Sequence, residues 1–193
     1  PEETTIYTIS ATDSEGTTSQ QELTVYMIGQ AKMIHQWTFD EVGGAGTTLI
    51  DSIGGENGSI VDLGGNDGFV EEGRVTLTGR GQNDSDYVML PSNLLSPLTN
   101  ATIETWSTQY SSQNWSRVFS IGSSTNNVMH MSFSRGTNIN QNELRWNAQS
   151  NMTLQDFGGA PTNSFDEQVH WVVTINDTGG PNGETQVTVY KNG

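Results

Sequence analysis

Short segments with a period of two recur about every ten residues along this chain, and Gly, Asn, Asp or Pro clusters separate them. That rhythm belongs to an all-β sandwich or barrel, and it excludes helical bundles and βαβ folds. Strands are expected at 34–40, 47–52, 58–63, 73–78, 86–90, 100–109, 116–122, 128–134, 142–147, 168–175 and 185–191. No segment keeps a helical period over three turns; residues 93–98, with Pro97, read as a single short helical turn. Leu, Ile, Val and Phe make up only about a fifth of the chain, close to the level at which a highly charged sequence stays unfolded. Charged residues are only 15%, however, and 5 Trp, 5 Tyr and 6 Phe supply large packing areas. A folded domain is therefore expected.

Residues 1–29 read as a separate β-hairpin. Tyr7, Ile9 and Ala11 alternate with Thr and Ser, Asp13-Ser14-Glu15-Gly16 makes the turn, and Leu23, Val25 and Met27 alternate on the return. A lone hairpin is not stable in water. It is either the end of a preceding domain, the reading preferred here, or a flap of the main domain. At the other end, Val187, Val189 and Lys191 alternate into Asn192-Gly193, a strong hairpin-turn dipeptide. A return strand is thus expected beyond residue 193, and the domain spanning 34–193, after a linker at 30–33, is read as incomplete at its C-terminus.

Net charge is −15, with residues 1–72 carrying 13 acids against one base. Such a chain repels phosphate backbones and anionic bilayers, so neither nucleic acid nor membrane is expected as a partner. No run of 18 apolar residues is present to insert into a membrane. The absence of cysteine removes disulfides, thiolate metal sites and cysteine nucleophiles together.

The pieces HQWTFDE, LIDSIGGENGSI, GRVTLTGRGQNDSDYVMLP, ATIETWSTQ, SRVFSIG, NELRWN, VHWVVTIND and VTVYKNG occur in that order over residues 34–193. Together they resemble the bacterial laminin G-like branch of the concanavalin A-like lectin/glucanase superfamily. The hairpin YTISATDSEGTTSQQELTVY is similar to the last two strands of bacterial immunoglobulin-like domains. The resemblance implies an antiparallel two-sheet jelly roll, an extracellular or cell-surface location, and binding of a glycan or a surface protein. Val169 departs from the pattern, which often has Trp at that place.

The glucanase relatives carry paired carboxylates on one strand, and that spacing is missing here. Glu104 is the only acid in its strand, and Glu143 stands alone ahead of Leu144, Arg145 and Trp146. His35, His130 and His170 lie in three different strands and read as structural, and the chain is expected not to be an enzyme. Alternation places His35, Trp37 and Phe39 on one face, Leu144 and Trp146 on another, and Trp171, Val173 and Ile175 on a third, all as core.

Trp106 differs. With Ile103 turned to the core, Glu104 and Trp106 turn the other way together, either under the opposite sheet or onto an open face; on an open face they suit a sugar, the ring stacking on C–H groups while the acid accepts from hydroxyls. Tyr110 and Trp115 flank the next loop as possible extensions of that site. For a metal, hard oxygen ligands favour Ca2+, with Asp40, Asp51 and Asn57 as the candidate ligands. The same residue types are also ordinary turn formers, and both readings stand at this point. Three functions follow in order: a non-catalytic carbohydrate-binding or adhesion module, a structural domain of a surface array, or an ancillary domain of a secreted hydrolase.

Overall fold

In a computed structural model, residues 5–25, 31–65, 67–79, 81, 83–111, 113–124, 127–134, 142–148, 151–156 and 165–193 are described. Among them are fourteen strands and no helix, so the chain is all-β with several antiparallel sheets. The side chains of Tyr7 and Trp146, and Asn66 in the GGNDG turn, lie outside the described set.

Strands β1 (Thr5–Thr12) and β2 (Thr18–Val25) form the expected hairpin, in unbroken register from Thr5↔Val25 to Thr12↔Thr18. Asp13 closes it: its Oδ1 accepts from the N–H groups of Glu15 and Thr17, each at 2.9 Å, and Gly16 supplies the left-handed φ of 85°. Thr8 through Glu22 are all exposed, Ile9 included.

Five short strands follow: β3 (Thr48–Leu49), β4 (Gly58–Val61), β5 (Phe69–Glu71), β6 (Arg74–Thr76) and β7 (Tyr87–Met89). The sheet order is β3-β4-β7, with β5 and β6 forming their own hairpin. That hairpin turns on Glu72 and Gly73, both at positive φ (50° and 76°), the requirement of a two-residue type I′ turn. Leu49, Ile60 and Val70 are buried together, flanked by Trp37, Phe39, Val75 and Val88. The strand expected at 34–40 is reduced to one bridge, Trp37↔Asp51, and Phe39 at φ 61° interrupts the extended run. Residues 93–98 form two successive turns, Ser96 N–H to Asn93 O and Leu98 N–H to Leu95 O, and no helix.

The remaining strands are longer. They are β8 (Asn100–Thr108), β9 (Arg117–Ser124), β10 (Asn127–Ser132), β11 (Glu143–Ala148), β12 (Asn151–Asp156), β13 (Gln168–Asn176) and β14 (Gln186–Lys191). They make a four-stranded sheet, β12-β11-β10-β9, and a three-stranded sheet, β14-β13-β8. Met129, Met131 and Leu144 from the first pack against Val169 and Trp171 from the second. Ile103, Val118, Phe119, Ile121, Ile175, Val187 and Val189 surround them. Burying side chains of this size stabilises by about 1.5–3 kcal/mol each. Val169, which departs from the Trp of the resemblance, is buried in this core. Lys191 also turns inward; its ammonium lies 5.2 Å from the Trp171 ring centroid and donates to Asn142 Oδ1 at 3.3 Å. On the three-stranded sheet the other set of side chains is exposed at Glu104, Trp106 and Tyr190, whereas on the four-stranded sheet His130, Ser132 and Glu143 of that set are buried.

Candidate functional site

Along β8, Ala101, Ile103, Thr105 and Ser107 are shielded, and Asn100, Thr102, Glu104 and Trp106 are exposed. Trp106 keeps 57% of its surface in solvent. Pairing with β13 sets His170 directly opposite Trp106 and Val172 opposite Glu104. The Trp106 and His170 rings stack with centroids 4.5 Å apart and planes 13° from parallel. From this position His170 Nε2–H donates to Glu104 Oε1 at 2.8 Å. His170 is anchored from behind: Asn192 N–H donates to its carbonyl (2.9 Å), and its own N–H donates to Asn192 Oδ1 (3.0 Å). One histidine therefore fixes both the indole and the carboxylate. Tyr190, opposite Val172 on β14 and 48% exposed, adds a second aromatic ring to the same sheet face.

Sequence reasoning missed His170 and Tyr190. His170 lies 66 residues from Glu104, and only the β8–β13 register brings them together. Tyr110, which follows β8, is exposed. Trp115 goes elsewhere: its ring meets His130 edge-on at 6.1 Å, and the Arg145 guanidinium lies 5.4 Å from its centroid. Both contacts belong to the four-stranded sheet, so Trp115 does not extend the Trp106 surface.

Asp51 and Asn57 come together in the D-x-x-G-x-x-x-G loop that ends at Gly58. Asp51 Oδ1 accepts from the N–H groups of Gln36 (2.9 Å), Ile53 (3.1 Å) and Gly54 (3.0 Å). Its Oδ2 accepts from His35 Nδ1 (2.7 Å) and Glu56 N–H (3.0 Å). Asp51 N–H in turn donates to Asn57 Oδ1 at 3.0 Å. Gly54 is required here, since a Cβ would collide with the His35 ring. Burial pushes the Asp51 carboxyl up, but the Gln36, His35, Gly54 and Ile53 donors outweigh it and hold it far below the usual carboxylate range. N–H dipoles converging on both oxygens favour an anion and oppose a cation at that point. Asp40 is exposed, accepts from Thr38 Oγ1 at 2.6 Å, and shares no hydrogen bond with Asp51 or Asn57 among the described residues. Among those residues no group of three or more His, Asp and Glu is placed to hold a metal ion. Asp62 has the same turn-forming role, accepting from the N–H groups of Gly64 (3.1 Å), Gly65 (3.0 Å) and Gly68 (3.3 Å).

His130 carries a testable pH effect. It is 1% exposed. Burial, with the Arg117 and Arg145 charges added, pushes its imidazole down from 6.5 to about 4. Among the described residues, Ser120 on β9 lies opposite it, and Ser132 and Glu143 lie one row away on the same face. Below pH 6.5 the unfolded chain takes up a proton that the folded chain refuses, so stability falls as pH drops from about 6.5 to about 4. The expected result is a melting temperature that declines across that window in the native chain and declines less in His130→Gln. Parallel curves for the two proteins would contradict it. Asp51 acts in a lower window: its held-down carboxyl contributes stability above the unfolded value of 3.8 that is lost only below it.

Compared with known proteins, the chain matches no family model, no curated protein and no solved structure.

Proposed function

We propose that the chain is a non-catalytic, extracellular carbohydrate-binding or adhesion module of a larger bacterial surface or secreted protein. Its fold, in this reading, is a laminin G-like jelly roll of the concanavalin A-like kind, preceded by the end of an immunoglobulin-like domain. The ordered sequence pieces support that assignment, as does the packing of two antiparallel sheets around one apolar core. The exposure of the whole hairpin from Thr8 to Glu22 supports its belonging with a neighbouring domain.

The observation that carries the function is the Trp106, His170 and Glu104 constellation on the open face of β8 and β13. A half-exposed indole, held in place by a histidine on one side, offers a flat apolar surface to the C–H face of a pyranose. The adjacent carboxylate accepts from sugar hydroxyls, and Tyr190 borders the same face. Pre-fixing the ring lowers the ordering cost of binding.

The test is a glycan array, with affinities measured for any hit on the native chain and on Trp106→Ala. Trp106→Ala is expected to weaken saccharide binding by at least about tenfold, with a melting temperature within about 2 °C of the native value, because an exposed ring contributes little to the core. A large loss of stability, or unchanged affinity, would remove this surface as the sugar site. The second reading, a structural domain making protein contacts in a surface array, draws on the exposed aromatics Trp106 and Tyr190. It predicts no array hit and a loss of self-association in Trp106→Ala.

A further inference from the structure

The face of the four-stranded sheet away from the Met129–Trp171 core carries a second constellation, with His130 buried in it. Ser120, His130 and Arg145 are direct cross-strand neighbours on β9, β10 and β11. Arg117 joins them although it is three residues from Ser120, an offset that simple alternation puts on opposite faces. A register shift between Met131 and Ser132 explains this: Phe119 pairs with Met131 and Arg117 with Ser132, and Val118 is the extra residue. Val118 and Phe119 both pack on the core, while Arg117 Nη1 donates to Ser120 Oγ at 2.9 Å. Together with Gly122, Ser123 and Val128, these residues line an open cavity of about 340 Å³.

The cavity is short of an anion. Neither Arg117 nor Arg145 has a carboxylate within ion-pair distance among the described residues, and Arg145 rests on the Trp115 ring. Glu143 lies fully buried in the next row of the same face. Both ring nitrogens of His130 and the Nε of Arg145 are buried with no hydrogen-bond partner among the described residues. Buried polar groups in native proteins are nearly always satisfied, so those that line a cavity mark a place for a ligand.

The chemistry narrows the ligand. Guanidinium forks match planar carboxylates with paired hydrogen bonds. The cavity has the size of pockets that hold small ligands, and Ser120 and neutral His130 offer hydroxyl partners. Against a net charge of −15, a molecule with a single acid group is repelled less on approach than a polyanion. We propose that this cavity, lined by Arg117, Ser120, His130 and Arg145, binds the carboxylate of a monoacidic saccharide such as a hexuronate. The anion site follows from the pocket alone; the saccharide class rests on the carbohydrate-binding reading above.

The test titrates the whole chain with glucuronate, glucose and inorganic sulfate, followed by NMR or calorimetry. Glucuronate is expected to bind, with glucose at least about tenfold weaker. Arg117→Gln and Arg145→Gln should each weaken glucuronate about tenfold or more. Arg117 is exposed, so Arg117→Gln should also leave the melting temperature unchanged, which separates lost binding from lost folding. Chemical-shift changes on glucuronate binding should fall on Arg117, Ser120, His130 and Arg145 and not on Trp106 or His170, so failure of the Trp106 surface and failure of this pocket read out separately; changes confined to Trp106 and His170 would overturn the pocket. Equal affinity for glucose and glucuronate, no glucuronate binding, or indifference to Arg117→Gln would overturn the proposal. Sulfate binding as tightly as glucuronate would overturn its saccharide part.

Discussion

Replacing Asp51 by Asn should lower the melting temperature by roughly 10 °C, although the side chain keeps its shape. Five N–H groups converge on the two carboxylate oxygens: four from the backbone of Gln36, Ile53, Gly54 and Glu56, and one from the His35 ring. An amide leaves one of those oxygens as an NH2 that faces donors with a donor, and the side chain is buried. The segment around Trp37 then loses its tie to the loop, and Trp37 and Phe39 loosen from Leu49, Ile60 and Val70. Thermal melting of Asp51→Asn checks this. Because the partners are N–H groups, the loss should be the same in millimolar calcium and in chelator; a loss seen only with calcium present would mark Asp51 as a metal ligand.

The second large effect is expected from Gly122→Ala. Gly122 sits in β9 at φ 150°, and a Cβ there would collide with the Asn127 carbonyl oxygen and approach Val128 Cα to 2.7 Å. Those atoms are backbone of the paired strand and cannot rotate aside. The residue also lies at a register shift, where Val128 pairs with Gly122 and Asn127 with Ser124. Strain and overpacking together should cost about 2–5 kcal/mol. Unfolding in urea would measure it, and the Arg117–Ser120–His130 cavity beside it should lose ligand affinity in parallel. A native-like midpoint would show that the β9–β10 pairing can shift to take up the methyl group.

What could be read from the sequence divides along one physical line. Where a strand alternates without interruption, its faces were legible: Ile103 on the core face and Glu104 with Trp106 on the other follow from period two alone, while the openness of that other face is set by how the sheets pack and emerges only in the structure, which exposes both. The turn-forming reading of Asp51 and Asn57 was equally available, because short oxygen side chains ahead of Gly seek backbone N–H groups. The Arg117 cavity was not legible, since the extra residue at Val118 breaks the alternation that would locate Arg117. Nor was His170, whose partner is set by a pairing between distant strands. Strand β12 escaped notice because Met152 and Leu154 are its only apolar residues. Strand β5 escaped because it is three residues long and its turn is Glu-Gly instead of Asn-Gly.

The pairing of β8 with β13 has a consequence for how the protein comes into being. Thr108 lies opposite Gln168 and Asn100 opposite Asn176, separations of 60 and 76 residues, whereas β9, β10 and β11 each join the next strand in the chain. Long closures carry a larger entropic cost and slow folding. On a ribosome adding about 5–20 residues per second, β8 emerges roughly 3–12 s before its partner exists. For that interval it is a bare strand with Ile103 on one side and both edges open, and the charge of Glu104 on the other side discourages it from pairing with another chain. The indole and the carboxylate meet only when His170 arrives, so any saccharide bound there would report a molecule that has completed its longest-range closure.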